Sequence, residues 1–154
     1  MSYTINLGID PGQSGGIACI SHGKAYAHKM PETNRDILDL LKSMTSDCRD
    51  SDGSDFDTHA VAVIESVHAM PKQGVTSSFN FGKNFGGLLM ALEACDISYE
   101  LVTPQKWQKF MGCLTRGDKN VSKAAAQRLF PTIKMTHAIA DSLLLAEYGK
   151  RMNF

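Results

Sequence analysis

Three acidic residues stand at the borders of apolar segments in this chain. Asp10 and Glu65 each end a short apolar run rich in β-branched residues, and Asp141 opens a third apolar run. The first two runs are typical of buried strands. A carboxylate beside a buried strand is costly without a counter-charge, and no Lys or Arg lies within four residues of Asp10 or Glu65. A bound Mg²⁺ or Mn²⁺ would supply that charge; the alternative is that each acid caps a helix or turn.

Composition indicates one soluble globular domain over residues 1–154. The apolar fraction is 43%, and 16 Lys and Arg balance 16 Asp and Glu, so overall charge does not indicate a nucleic-acid partner. Residues 100–154 nevertheless carry nine cations against four anions, which fits either a phosphate partner or an ordinary solvated surface. The four cysteines form no C-x-x-C pair, which disfavours zinc-finger and thioredoxin-like chemistry. With no long apolar stretch and no leader sequence, we expect a cytosolic protein with no membrane partner.

Hydrophobic periodicity predicts an α/β domain with a mixed sheet flanked by helices. Strands are predicted at 3–9, 16–21, 24–29, 60–65 and 98–102. Helices are predicted after an N-cap at Thr33, and at about 77–95, 104–111, 121–129 and 137–150. A Ser/Asp/Gly-rich loop is predicted at 46–59.

Acids gathered at strand ends suit displacement at phosphorus. Two metal ions held by such carboxylates stabilise both the attacking and the leaving oxygen. The sequence places each acid at an element border, but only the fold can bring the three together.

An ordered set of segments resembles the motifs of RuvC-type Holliday junction resolvases, in particular their short, phage-like members within the RNase H-like superfamily. The segments are Gly8–Ala18, Val63–His68, Val102–Trp107, Lys123–Ala126, Leu129–Pro131 and Ala138–Ala146. No single motif is specific, but together, in this order, they span nearly the whole chain.

The resemblance implies an RNase H-like five-stranded sheet and a homodimer that cuts four-way junction DNA by symmetric nicks. It also implies two Mg²⁺ per active site, replaceable by Mn²⁺, with Asp10, Glu65 and Asp141 as ligands. Relatives place a fourth ligand three residues before the last Asp, where this chain has Ala138. His137 lies one helical turn before Asp141 and can take that role. The implied setting is the cytoplasm of a bacterial or phage-infected cell, in DNA recombination and repair.

Four side chains are candidate DNA contacts. His68 occupies the position where relatives carry an aromatic residue that enters the junction. Lys72, Lys119 and Lys123 could meet phosphate, and Lys123 matches a family lysine near the scissile phosphate that supports transition-state charge. Each lysine could equally be a plain surface cation.

The long predicted helix contains three glycines, which lower helix propensity and so indicate close packing against another backbone. The resemblance makes this helix the dimer core; the alternative is packing across its own sheet. Phe79 and Phe81, near its start, could stack on bases or serve as core or dimer contacts. Trp107 is interpreted as a packing anchor for its helix.

Other functions stay open at this stage. Within the superfamily, the chain could be a nuclease of flap, branched or RNA-containing substrates. Outside it, the chain could bind junctions without cutting them. The glycine turn after Asp10 also resembles the phosphate turn of actin-like ATPases, but those proteins need a second lobe and a second such turn, for which this chain is too short.

Overall fold

The computed structural model describes residues 3–46, 58–68 and 71–154. The strands within these ranges are β1 (Tyr3–Asp10), β2 (Gly16–Ser21), β3 (Lys24–Lys29), β4 (Thr58–Glu65) and β5 (Ser98–Val102). The helices are α1 (Asn34–Met44), α2 (Val75–Ala94), α3 (Pro104–Phe110), α4 (Lys119–Leu129) and α5 (His137–Met152). The predicted α/β class is confirmed. None of the helices in these ranges is long and apolar enough to cross a membrane.

Several predicted boundaries differ from the structure by one or two residues, and two of these differences have a clear local cause. The predicted loop 46–59 ends too late, because Thr58 and His59 extend β4 by pairing with the start of β1; residues 47–57 of that loop lie outside the described residues. Helix α4 begins at Lys119 instead of residue 121, because the side chain of Asp118 accepts a hydrogen bond from the Asn120 amide and caps the helix there.

The five strands form one mixed sheet in the order β3-β2-β1-β4-β5. The first three strands are an antiparallel meander, and β1, β4 and β5 run parallel. Ile9 pairs with Ile64, which places the next residues of both strands, Asp10 and Glu65, at the same edge. The central position of β1 therefore brings two of the three acids together.

The two faces of the sheet bury separate apolar clusters. Alternate β1 residues, such as Leu7 and Ile9, point toward α1 and α2 with Leu88 and Leu92 of the long helix. The opposite face packs against α3, α4 and α5, and this second cluster includes Trp107. Each helix layer thus has its own core.

Helix α5 lies directly on β1 at Gly8. A Cβ at this position would overlap the Ser142 carbonyl oxygen and the Ala146 backbone nitrogen. Only glycine lets the helix approach the strand so closely. This contact fixes the part of α5 that carries Asp141 over the end of β1.

Of the three glycines of α2, one packs against α1 and two face open space. A Cβ at Gly87 would lie 2.7 Å from the Asn34 side chain, so this glycine packs within the chain against α1. Gly82 and Gly86 have no such neighbour within 4 Å. Packing within the chain therefore accounts for Gly87, and the other two glycines face outward.

Candidate active site

Three carboxyl groups converge beside the ends of β1 and β4. Asp10 ends β1, Glu65 ends β4, and Asp141 lies one turn into α5. Each side chain keeps part of its surface in solvent, but protein largely encloses the carboxyl groups. The charges of Glu65 and Asp141 both act on Asp10, as expected for a shared site.

Enclosure by protein raises the pKa of all three acids. The pKa of Asp10 is raised from 3.8 to about 8, mainly by burial and then by the charges of Glu65 and Asp141, while the charge of Lys119 opposes the rise. Burial is also the largest cause of the raised pKa values of Glu65 and Asp141. The positive charges of the protein are therefore too few to stabilise all three acids in their ionised forms. An added cation would lower their pKa values and favour ionisation.

One carboxyl oxygen of Asp141 accepts no hydrogen bond from the described part of the chain. This atom, Oδ1, is buried. The Ser122 hydroxyl, which donates to the Lys119 carbonyl, opposes the rise in the pKa of Asp141. A buried oxygen without a partner is costly, and coordination of a cation would remove that cost.

The donor chemistry of the site fits a hard divalent cation. Three carboxylates supply the oxygen ligands that Mg²⁺ and Mn²⁺ prefer. Across residues 3–46, 58–68 and 71–154, however, no three His, Cys, Asp or Glu side chains stand in a ready-made coordination arrangement. A cation at this edge would therefore have to draw the carboxylates together by side-chain rotation.

Glu65 is held by a residue whose role the sequence did not reveal. The indole N–H of Trp107 donates a 2.6 Å hydrogen bond to Oε2 of Glu65. Trp107 is completely buried, as a packing anchor should be, but it also carries this polar contact. The contact depends on the pairing of Glu65 with Val102 at the end of β5, which places the start of α3 beside Glu65 and which sequence spacing does not show.

Lys119 is the lysine whose charge lowers the pKa of all three acids. It is the first residue of α4, while Lys123 lies half-buried one turn later on the same helix. His137 is exposed at the start of α5, and its charge lowers the pKa of Asp141. Of the predicted site cations, Lys119 and His137 thus act electrostatically on the acids.

Helix α2 braces the turn that follows Asp10. The Gly12 amide donates a 2.8 Å hydrogen bond to Oδ1 of Asn84, and its φ of +99° is readily accessible only to glycine. The ring of Phe81 lies 3.3 Å from where a Gly12 Cβ would stand. Phe81 therefore packs on the turn, and neither it nor Asn84 was identifiable as a brace from the sequence.

The remaining predicted DNA contacts lie outside the acidic cluster. His68 and Lys72 are exposed between β4 and α2. Phe79 is 66% exposed on α2, with the Lys83 ammonium 5.6 Å from its ring centroid. All three side chains are accessible to a large partner.

Comparison with known proteins gives a fold-level match. No family model and no curated protein sequence matches the chain. The structure of Thermus thermophilus RuvC superposes with a TM-score of 0.62 at 14% identity, covering 97% of this chain and 96% of that chain. T. thermophilus RuvC in complex with Holliday junction substrate gives a TM-score of 0.62 at 15% identity over the same shares.

The chain has a RuvC-like fold. The RNase H-like five-stranded sheet flanked by helices, expected from the ordered motifs, is thereby confirmed. The RuvC-like arrangement extends over nearly the whole chain, so the sheet edge with the three acids belongs to the shared fold.

Metal-free protein should lose stability as the pH rises from about 4 to about 8. The folded state holds the Asp10 proton up to a pKa of about 8, whereas an unperturbed Asp releases it near 3.8. The resulting stabilisation is complete below the unfolded pKa and is lost as the pH rises through the folded pKa. Urea unfolding in EDTA at a series of pH values measures the effect.

Asp10→Asn should flatten this profile, because it removes the charge that must be enclosed. At pH 9 without metal, the variant should be more stable than the wild type by about 1–3 kcal/mol. Asp39→Asn, at an exposed position on α1, is the matched control and should keep the wild-type profile. Parallel profiles for Asp10→Asn and the wild type would contradict the assignment.

Proposed function

We propose that this protein is a divalent-metal-dependent endonuclease that resolves four-way DNA junctions by paired symmetric nicks. The observation that carries the proposal is the convergence of Asp10, Glu65 and Asp141 at one edge of a RuvC-like sheet. The T. thermophilus RuvC complex with Holliday junction substrate, which shares the fold, supports the choice of DNA substrate. The proposed setting is DNA recombination and repair in the cytoplasm of a bacterial or phage-infected cell.

Two Mg²⁺ ions, replaceable by Mn²⁺, would be held by Asp10, Glu65 and Asp141, with His137 as the fourth ligand. When bound, the ions supply positive charge for both the attacking and the leaving oxygen of an in-line displacement. The charges of both other acids act on Asp10, so Asp10 would hold the ions together with each of them. The unpartnered Oδ1 of Asp141 supports its place in the set.

Basic side chains beside the acids would bind the DNA backbone. Lys119 acts on all three carboxyl groups and, with Lys123 one turn later, would contact phosphates near the cleaved bond and support the charge that develops there. Lys72 would contact phosphate farther along the DNA. The exposed imidazole of His68 would stack on a base at the junction.

The functional unit would be a homodimer formed through α2. Five residues of this helix share one outward face: Val75, Phe79, Gly82, Gly86 and Met90. The three large members are 87%, 66% and 67% exposed in chain order, and space beside both glycines is open. An apolar stripe with small residues at its centre fits a second copy of the same helix. Two copies would provide one acidic site for each of the paired nicks.

Cleavage of synthetic four-way junctions tests the proposed activity. The wild type should nick junctions in Mg²⁺ and not in EDTA, and should leave matched duplex, flap and RNA–DNA hybrid intact. Asp10→Asn should abolish nicking but keep junction binding, because it removes a metal ligand and no phosphate contact. Nicking by Asp10→Asn at the wild-type rate would overturn the site, and preferential cutting of flaps or hybrids would overturn the proposed substrate.

Lys119→Ala should affect DNA binding, in contrast to Asp10→Asn, which should affect only cleavage. It should weaken junction binding and reduce the slope of log affinity against log salt by about one, as loss of one phosphate contact does. Lys123→Ala should behave alike. Lys42→Ala, on the exposed surface of α1, is the matched control and should keep the wild-type slope.

His137→Ala should lower cleavage in Mg²⁺, and added Mn²⁺ should partly restore it. Mn²⁺ binds the same carboxylate ligands as Mg²⁺, so the three remaining carboxylates can still hold the added ion. His137→Asp should retain activity, because it returns an anionic ligand to the same turn of α5. Normal rates and normal metal dependence in His137→Ala would leave Asp141 as the sole ligand on that helix.

Gly86→Leu should convert the dimer to a monomer, since a bulky side chain would keep two α2 helices apart. The change fits the open space in one chain and improves helix propensity by up to about 1 kcal/mol, so the monomer should remain folded. Light scattering at micromolar concentration measures the mass, and circular dichroism checks the fold. Lys42→Leu, on α1, is the control that should stay dimeric; a monomeric wild type would remove the proposed dimer.

A further inference from the structure

Trp107 is a buried residue whose indole N–H donates a hydrogen bond to the carboxyl group of Glu65. Its side chain is completely enclosed, and a buried N–H without an acceptor costs about 1–3 kcal/mol. Its partner is Oε2 of Glu65 at 2.6 Å, which is short for an N–H···O hydrogen bond. Trp107 therefore fixes one oxygen of a candidate metal ligand.

The backbone around Trp107 is firmly placed. The Ser66 amide donates a 2.8 Å hydrogen bond to the Val102 carbonyl, which ties the end of β4 to the end of β5. Helix α3 then begins at once, with Pro104 in its first position and Thr103 as its cap. The Trp107 amide bonds back to the Thr103 carbonyl. The indole therefore belongs to the rigid frame of the sheet and not to a loop.

We infer that Trp107 is a positioning residue for Glu65, holding Oε2 in place and leaving Oε1 outside this hydrogen bond for the metal. This inference rests on the proposed function, because it assigns the purpose of the contact to metal binding. A carboxylate on a flexible Glu side chain would otherwise lose rotamer entropy each time a cation binds. Fixing one oxygen in advance removes part of that cost, as hydrogen bonds to metal ligands generally do.

The indole N–H of the wild-type protein provides a test without any tryptophan substitution. The chain contains one tryptophan, so a nitrogen-15 correlated proton spectrum contains a single indole signal. Glu65→Gln should move that signal and speed its exchange with solvent deuterium. Titration of the wild type with Mg²⁺ should move it as well. A signal that responds to neither change would overturn the inference.

Trp107→Phe tests the effect on metal binding. Phenylalanine keeps an aromatic ring in the core but has no N–H, so the Mn²⁺ affinity measured by calorimetry should fall about 10–100-fold, the usual effect of losing a hydrogen bond to a metal ligand. Cleavage should fall at low Mn²⁺ and recover at high Mn²⁺, while junction binding in EDTA stays unchanged. Ile20→Ala, in the same apolar cluster, controls for lost core stability and should keep wild-type Mn²⁺ affinity.

The outcomes separate this inference from the proposed function. A wild type that binds Mn²⁺ and cuts junctions, with Trp107→Phe equal to it in Mn²⁺ affinity, overturns the positioning role alone. Equal losses of Mn²⁺ affinity in Trp107→Phe and Ile20→Ala would mean that Trp107 acts only through core packing. That result would also overturn the positioning role. A wild type that neither binds Mn²⁺ nor cuts any junction overturns the proposed function and, with it, this role for Trp107.

Discussion

Three like charges share one partly enclosed edge of a sheet, and much of the structure around them serves to hold them there. Carboxylates repel one another at short range, and enclosure adds a desolvation cost that raises every one of their pKa values. The divalent cations that we propose for this site would offset that cost.

The protein counters that cost through contacts from several different elements. Trp107 of α3 donates to Glu65, Ser122 of α4 opposes the rise in the pKa of Asp141, and the charge of Lys119 acts on all three acids. The acids themselves come from β1, β4 and α5. The site is thus assembled across the sheet and one helix layer, and a shift of any of these elements would change it.

Helix α2 packs on the sheet face opposite α5 and also contacts the acidic site. One of its faces packs into the apolar cluster through Leu88 and Leu92 and braces the turn after Asp10 through Asn84. Its opposite face carries the exposed stripe with Gly86. A partner on that outer face would contact the same helix that braces the turn after Asp10. The proposed dimer contact and the acidic site are therefore joined by a single rigid element.

The sequence by itself determined the elements and placed each acid at an element border. Strand and helix periodicities are local signals, so the five strands and five helices of the described ranges were all predicted, with errors only at boundaries such as Thr58 and Lys119. The ordered motifs also predicted the RuvC-like fold. Tertiary structure alone decided that the three acids meet, since this depends on strand register and on the close contact of α5 with β1 at Gly8. Tertiary structure also decided that Trp107 contacts Glu65, which lies 42 residues away in the sequence. This contact depends on how the strands pair and how the helices are oriented, and no local sequence pattern encodes either.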